Sequence, residues 1–293
     1  MGNRTSTWAG RCALALAGIV VAGALAPAAF AHRIEKRFQV ELRPTISIRN
    51  KSGKVIIKSW KKQEVLVVAG HVSEKTEVDA TQMGNRIEVV THLLKEDVKP
   101  AELVANFEVT VPEEATIQIE NGSGDVFVER ITGDMSFDTV AAGVDLKEVA
   151  GYLVIKTMSG SLTCYLCAGR IEVNTISGNL SFVNAISNNI RAQSYNGNIF
   201  FDGRFERGGN YVLKNYSGLI EVRFSEGDSF DLKASSVQGK VESEAKLKAP
   251  AHASRLTAPG SNTILSGSQN LGLARVELGS FSGTIKVLKR SNN

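Results

Sequence analysis

Cys164 and Cys167 stand in a Cys-x-x-Cys spacing, the arrangement in which two thiols cycle through a disulfide or grip a metal. A redox pair needs its first thiolate at a helix start, and this segment reads as strand and turn. A structural zinc site needs further ligands, yet His32, His71, His92 and His252 are dispersed. Both cysteines instead fall in apolar columns: Cys164 with Val128, Leu146 and Phe182, and Cys167 with Ile131 and Val149. They read as small buried hydrophobes, with a local disulfide open to them in an oxidising compartment. Asp125 and Asp134 follow glycines, as calcium-binding aspartates do in acidic β-rolls. Their counterparts one period on are Gly143, Ser161 and Asn179, and Tyr152 and Arg170, whereas a calcium roll needs carboxylates on every rung. Polysaccharide cleavage needs an acid with a second acid or a base converging on adjacent rungs. Glu172, Arg191 and Asp145 form no ordered set of that kind, and no Gly-x-Ser-x-Gly elbow, His-Glu-x-x-His helix or phosphate loop occurs. No catalytic residue, metal ligand or cofactor site is therefore assigned, and the chain reads as a non-enzyme.

The elements that would carry any site come from a repeat. An eight-residue word, Ile-x-Ile-x-Asn-x-x-Gly, runs from Ile46 to Gly53 and again from Ile117 to Gly124. Looser copies close at Ala142, Gly160, Gly178, Gly197, Gly218, Gly239 and Gly283, and from Gly124 to Gly239 they are 18 to 21 residues apart. Three units, Asp125 to Ala142, Gly143 to Gly160 and Ser161 to Gly178, align without gaps. Each holds two short strands of period two: Val126 and Val128 then Met135 and Phe137, Val144 and Leu146 then Leu153 and Ile155, Leu162 and Cys164 then Ile171 and Val173. Gly133, Gly151 and Gly169 mark the turn between them, and Asn188 in the next unit predicts a left-handed backbone there. Three residues before each closing residue stands Asn50, Asn121, Thr139, Thr157, Thr175, Ser194, Asn215, Ser236 or Ser280. Short polar side chains at a corner are expected to bond the turn's own amides and carbonyls.

A fixed period of this size predicts an all-β fold, a single elongated β-solenoid of stacked two-strand coils. Residues 32–115 keep strand-like alternation at Val65, Val67, Val78, Ile87, Val89, Phe107, Val109 and Val111, and read as an N-terminal β region that caps the stack. Within it, residues 92 to 104 form a charged, loop-like excursion with Pro100. Residues 116–293 carry the solenoid repeats, weakened between Ala245 and Ser268 by Pro250 and Pro259 and restored from Val276 to Val287. Residues 1–31 have the form of a signal peptide: basic Arg4 and Arg11, an apolar run from Ala13 to Ala26, and Ala29-Phe30-Ala31 as a small-x-small cleavage site. Without those two arginines the formal charge falls from +4 to +2, with both signs interspersed, which excludes an electrostatic footprint for nucleic acid. No second long apolar run follows, so the mature chain is expected to be exported without a transmembrane segment.

The run from Val109 to Val126, VTVPEEATIQIENGSGDV, with the glycine-spaced strands after it, resembles a bacterial family of β-strand-repeat proteins described as putative adhesins of unknown function. The stretch from Leu42 to Val67, with Asn50, Gly53, Val55 and Trp60, is similar to the opening segment of that family. The resemblance implies an exported β-helical protein with no established catalytic residues. One column departs from the family. Two residues before the closing residue, where the family often places small or polar side chains, stand Val140, Met158, Ile176, Tyr195, Tyr216, Val237 and Phe281. Repeat position does not give side-chain direction at a corner, so the column either turns inward, covers itself as a ladder, or stands out as a contact stripe. Val140, Met158, Ile176, Tyr195, Tyr216 and Val237 are the candidate partner surface, with an envelope protein or a polysaccharide as the partner. The function expected is a cell-envelope or surface interaction scaffold, periplasmic or extracellular. The alternative is a polysaccharide-binding or polysaccharide-active β-helix protein, and a sensory module for envelope stress is a third reading.

Overall fold

The computed structural model describes residues 32–248 and 263–291. The signal-peptide stretch 1–31 and the segment holding Pro250 and Pro259 lie outside the described residues. Strands dominate the rest, and Pro100–Leu103, inside the expected excursion, forms a short 3-10 turn.

The period-two alternation builds two parallel ladders that bury one continuous apolar cluster. On the first, Thr45–Asn50, the start of Thr116–Glu129, the start of Met135–Lys147, Ala150–Thr157, Ala168–Thr175, the end of Leu180–Asn196 and Asn210–Ser217 pair in succession. On the second, Val55–Trp60, the ends of Thr116–Glu129 and Met135–Lys147, Leu162–Tyr165, the start of Leu180–Asn196, Ile199–Gly203 and Leu219–Phe224 do the same. Equivalent residues lie side by side, Leu153 beside Ile171 and Ile155 beside Val173, all four fully buried. Rungs of this kind lie about 4.8 Å apart, so each apolar column is a continuous spine through the core.

Order in space departs from order in sequence at both ends. The two full copies of the eight-residue word are neighbours: Ile46 pairs with Ile117 and Asn50 with Asn121, although 71 residues separate Ser52 from Ser123 in the same corner. Arg86–Leu93 and Ala105–Pro112, which intervene in sequence, pair instead on the outer edges of Thr45–Asn50 and Val55–Trp60. Antiparallel strands follow beyond them, Thr76–Met83 on one ladder, Glu64–His71 and then His32–Gln39 on the other. At the opposite end Ala274–Ser280 lies between Asn210–Ser217 and Phe230–Ser236, and Thr284–Lys289 between Leu219–Phe224 and Val241–Ser243. The last regular coil of the chain is therefore not the last rung.

Two corners show why the repeat has its residues. Gly133, Gly151 and Gly169 have φ of 146°, 139° and 98°, as the turn column predicted. Asn188 does not continue that column. Gly169 pairs with Ser187 and Arg170 with Asn189, leaving Asn188 as the extra residue of a bulge with no positive φ. The left-handed non-glycine positions of this region are Arg130, Glu148, Leu166 and Asn184, with φ of 58°, 54°, 53° and 52° at 18-residue spacing. The amides of the first three donate to the next rung, to Lys147 O, Tyr165 O and Val183 O. Those hydrogen bonds hold a conformation that side chains with a Cβ adopt reluctantly. In the closing column Gly53, Gly124 and Gly218 also have positive φ (120°, 103° and 109°), whereas at the glycines without it the requirement is space. A Cβ on Gly160, Gly178, Gly197 or Gly283 would overlap the carbonyl oxygen of Ala142, Gly160, Gly178 or Gly218 on the neighbouring rung.

Candidate functional site

The closing corner is also where the apolar column emerges. Strand alternation turns Thr139, Thr157, Thr175, Ser194 and Asn215 inward, and all are buried. Their side chains tie down the turn: Thr157 Oγ1 accepts from Gly160 N (2.9 Å), Thr175 Oγ1 accepts from Gly178 N (3.0 Å), and Ser194 Oγ donates to Gly178 O (3.1 Å). Asn121 Oδ1 and Asn215 Oδ1 have no donor within the described protein, whereas the equivalent Asn50 Oδ1 accepts from Thr91 Oγ1 (2.9 Å). The polar column thus satisfies corner backbone groups, as expected.

With that residue pinned inward and the glycine close behind, the residue between them must point out. Val140, Met158, Ile176 and Tyr195 are each about half exposed (51–53 %), Tyr216 is 41 % exposed and Val237 68 %. Corner hydrogen bonds join these positions into one line: Ser159 N donates to Val140 O, Ser177 N to Met158 O, and Asn196 N to Ile176 O. The line continues through Phe281, whose flanking amide Ser282 N donates to Tyr216 O and whose own carbonyl accepts from Gln238 N. Phe281 therefore sits between Tyr216 and Val237 in space. Tyr195 and Tyr216 stack at 4.6 Å and 7°, and Tyr216 and Phe281 at 4.7 Å and 10°. The rings lie face to face along the rung direction, so their edges, not their faces, border solvent. A groove of 310 Å³ beside the stack is lined by Asn174, Gln193, Tyr195, Lys214 and Tyr216. The stripe is flanked by neutral Ser159, Ser177, Asn196 and Ser217. The arrangement can offer an amphipathic ridge to a partner, with charged side chains beside it at Asp138, next to Val140, and at Lys214, next to Tyr216.

Cys164 and Cys167 are joined as a disulfide and have no exposed surface, so neither sulfur is open to a substrate or metal. Asp125 and Asp134 are not part of any group of three metal-binding side chains, and none occurs among the described residues. Glu172 lies beside Arg191 in register on the first ladder, but Asp145 pairs with Thr163 on the second, so the three do not converge. Glu172 is engaged by the Arg170 guanidinium, which pulls its carboxyl below the usual value, and accepts from Tyr152 Oη at 3.2 Å. Lys147 does the same to Glu129 at 2.8 Å, and Lys214 to Glu277 at 2.6 Å. A general acid needs the opposite shift.

Two features escape sequence reasoning. Phe281 carries the stripe signal, two residues before Gly283, but its place in the line depends on rung order. Tyr211 occupies an apolar column, next to Ile190 and Val276, and gives no local sign of its polar role. Its hydroxyl donates to Ser187 O (2.6 Å) and accepts from Glu206 N (2.9 Å), stitching the Asn188 bulge to the following loop.

The sequence model of a family described as Toastrack DUF4097 matches residues 44–288. Among solved structures, one described as a putative adhesin from Bacteroides fragilis is 12 % identical, with 88 % of this chain and 98 % of that chain aligned and a TM-score of 0.48. Another, described as a putative cell adhesion protein from Clostridium sporogenes, is 12 % identical, with 88 % of this chain and all of that chain aligned and a TM-score of 0.28. No curated protein matches the chain.

Proposed function

This chain belongs to the Toastrack DUF4097 family, and on that premise we propose that it is an exported, non-enzymatic β-solenoid that serves as an adhesin-like interaction scaffold of the cell envelope. The observation that carries this reading is the corner stripe. Seven side chains on successive rungs, Val140, Met158, Ile176, Tyr195, Tyr216, Phe281 and Val237, are each at least a third exposed. Contiguous exposed apolar surface of this length favours a partner contact, and a solenoid offers it a straight, stiff support. The stacked two-strand coils begin with Thr45–Asn50 and Val55–Trp60 and continue from Thr116, and the antiparallel outer strands beyond them act as the cap, with charges such as Arg33, Glu35, Lys36 and Arg37. Charged edge strands discourage unwanted pairing of one stack with another.

The non-enzymatic part of the reading is supported by the carboxylates. Glu129, Glu172 and Glu277 are all neutralised by a neighbouring cation and held ionised, the state of a structural ion pair. Export is supported by the signal-peptide pattern of residues 1–31 and by the paired cysteines, a state favoured outside the reducing cytosol. The partner is an envelope protein or a polysaccharide. Cross-linking in cells, comparing the native chain with Tyr195→Ser plus Tyr216→Ser, tests the stripe. The double variant should keep its fold, since an exposed ring pair contributes about 0.5–1.5 kcal/mol beyond area burial, and lose its captured partner. Undiminished capture would remove the stripe from the function, and release of sugars from cell-wall or capsular polysaccharide by the purified protein would make it an enzyme.

A further inference from the structure

The rung order at the C-terminal end competes with a second order carried by the sequence. From Ile190 to Tyr211, Ala192 to Leu213 and Ser194 to Asn215 the spacing is 21 residues, and these pairs are direct neighbours. The same spacing separates Tyr211 from Leu232, Leu213 from Ala234, Asn215 from Ser236 and Gly218 from Gly239. On the second ladder it separates Ile199 from Ile220, which are neighbours, and Ile220 from Val241. Residues 230–241 thus carry the inward, anchoring and closing residues needed to sit directly on 210–220, and only at the next inward position does Ser243 stand in the column of Val222. That seat is taken by residues 274–289. Val276 lies between Tyr211 and Leu232, Ser280 between Asn215 and Ser236, and Ile285 between Ile220 and Val241.

The backbone groups on either side of the inserted segment are complementary to each other. Phe281 N and Ser282 N donate to Asn215 O and Tyr216 O, while Ser280 O and Phe281 O accept from Val237 N and Gln238 N. Removing the segment would leave two acceptors on one rung facing two donors on the other, at a corner where both closing residues are glycine. Closure of the gap would restore the corner hydrogen bonds together with the apolar columns through Tyr211, Leu213 and Ile220.

We propose that this rung is an exchangeable strand-pair site. Residues 274–289 fill it as the molecule's own ligand, and when they leave, residues 230–243 close directly onto 210–224. The site takes an extended segment of the pattern apolar-x-apolar-x-Ser-x-x-Gly-x-apolar-x-apolar, as read from Val276 to Val287.

A full-length chain with Tyr216→Cys and Val237→Cys reports on the exchange. With Phe281 between them the two positions are two rungs, about 10 Å, apart, and outside disulfide range; on adjacent rungs they are within it. The oxidised reporter should therefore stay unbridged. Adding Gly283→Val, whose side chain collides with Gly218 O, should expel the segment and give the 216–237 bridge with the sheet circular-dichroism signal intact. A synthetic peptide of residues 272–291 should abolish that bridge, and the same peptide carrying Gly283→Val should not. Phe281→Ala replaces Gly283→Val should the latter lose its sheet signal. A native sheet without the bridge, loss of the sheet in both variants, or a bridge that the native peptide leaves intact would each overturn the proposal.

Discussion

Gly178→Ala tests the close-approach account of the closing column. Gly178 has no positive φ, so a methyl group there meets no backbone strain. It meets atoms: Gly160 O on the neighbouring rung and Thr175 Oγ1 of its own turn both lie inside contact distance of an added Cβ. One rung must then lift away from the other at this corner. Overpacking of this kind costs about 1–3 kcal/mol. The lift also strains the bonds from Gly178 N to Thr175 Oγ1 (3.0 Å) and from Ser194 Oγ to Gly178 O (3.1 Å), each worth about 1 kcal/mol net. The expected loss is about 3–5 kcal/mol, a large part of the roughly 5–15 kcal/mol by which folded domains are stable. Gly84→Ala is the control. Gly84 has φ of 59° but nothing within 4 Å of an added Cβ, so its cost is the left-handed term alone, about 1–2 kcal/mol. Urea unfolding of both variants and the native chain gives the comparison, and hydrogen exchange should show lost protection at the Ser177 and Asn196 amides. An equal or smaller cost for Gly178→Ala than for Gly84→Ala would refute the argument and return the column to ordinary turn geometry.

Other expectations are briefer. Burial pushes the Tyr211 phenol up to about 12 from an ordinary value near 10, so its share of stability is complete below pH ~10 and lost as pH rises toward 12. Tyr211→Phe should remove that share from the alkaline unfolding profile and cost about 1–3 kcal/mol at neutral pH, since Ser187 O loses a buried donor. Glu129, Glu172 and Glu277 are depressed by Lys147, Arg170 and Lys214, so their contribution is present above 4.5 and fades as pH falls through their folded values. A urea midpoint at acid pH equal to that at pH 7 would contradict this. Because Cys164 and Cys167 are fully enclosed, reductant and an alkylating reagent should label them only in urea; rapid labelling of the native chain would place them at the surface.

Much of the architecture is legible in the chain because its determinants are local. Alternating Val126 and Val128, or Leu153 and Ile155, specify a half-buried strand wherever they occur, and every such pair is buried. Gly133, Gly151 and Gly169 announce their turn because the backbone conformation excludes most other residues. The polar column ending at Ser280 is legible for the same reason, since its bonds reach only to its own corner and the next. The bulge at Asn188 is not, because an Asn in a left-handed turn and an Asn left over beside a shifted register look alike in sequence. The left-handed line at Arg130, Glu148, Leu166 and Asn184 is hidden by its unlike side chains, the conformation being held at the first three by rung-to-rung hydrogen bonds.

By itself, then, the sequence determined the all-β repeat, the column positions and the candidate stripe, which follow from period and stereochemistry within one coil. Only the tertiary structure decided that the stripe points outward, that Phe281 stands beside Tyr216, and that the coils at 45–60 and 274–289 lie between others. The physical reason is degeneracy. Every rung presents the same carbonyls, amides and apolar columns to its neighbours, so many stacking orders satisfy the local pattern, and the choice among them rests on contacts between residues far apart in the chain.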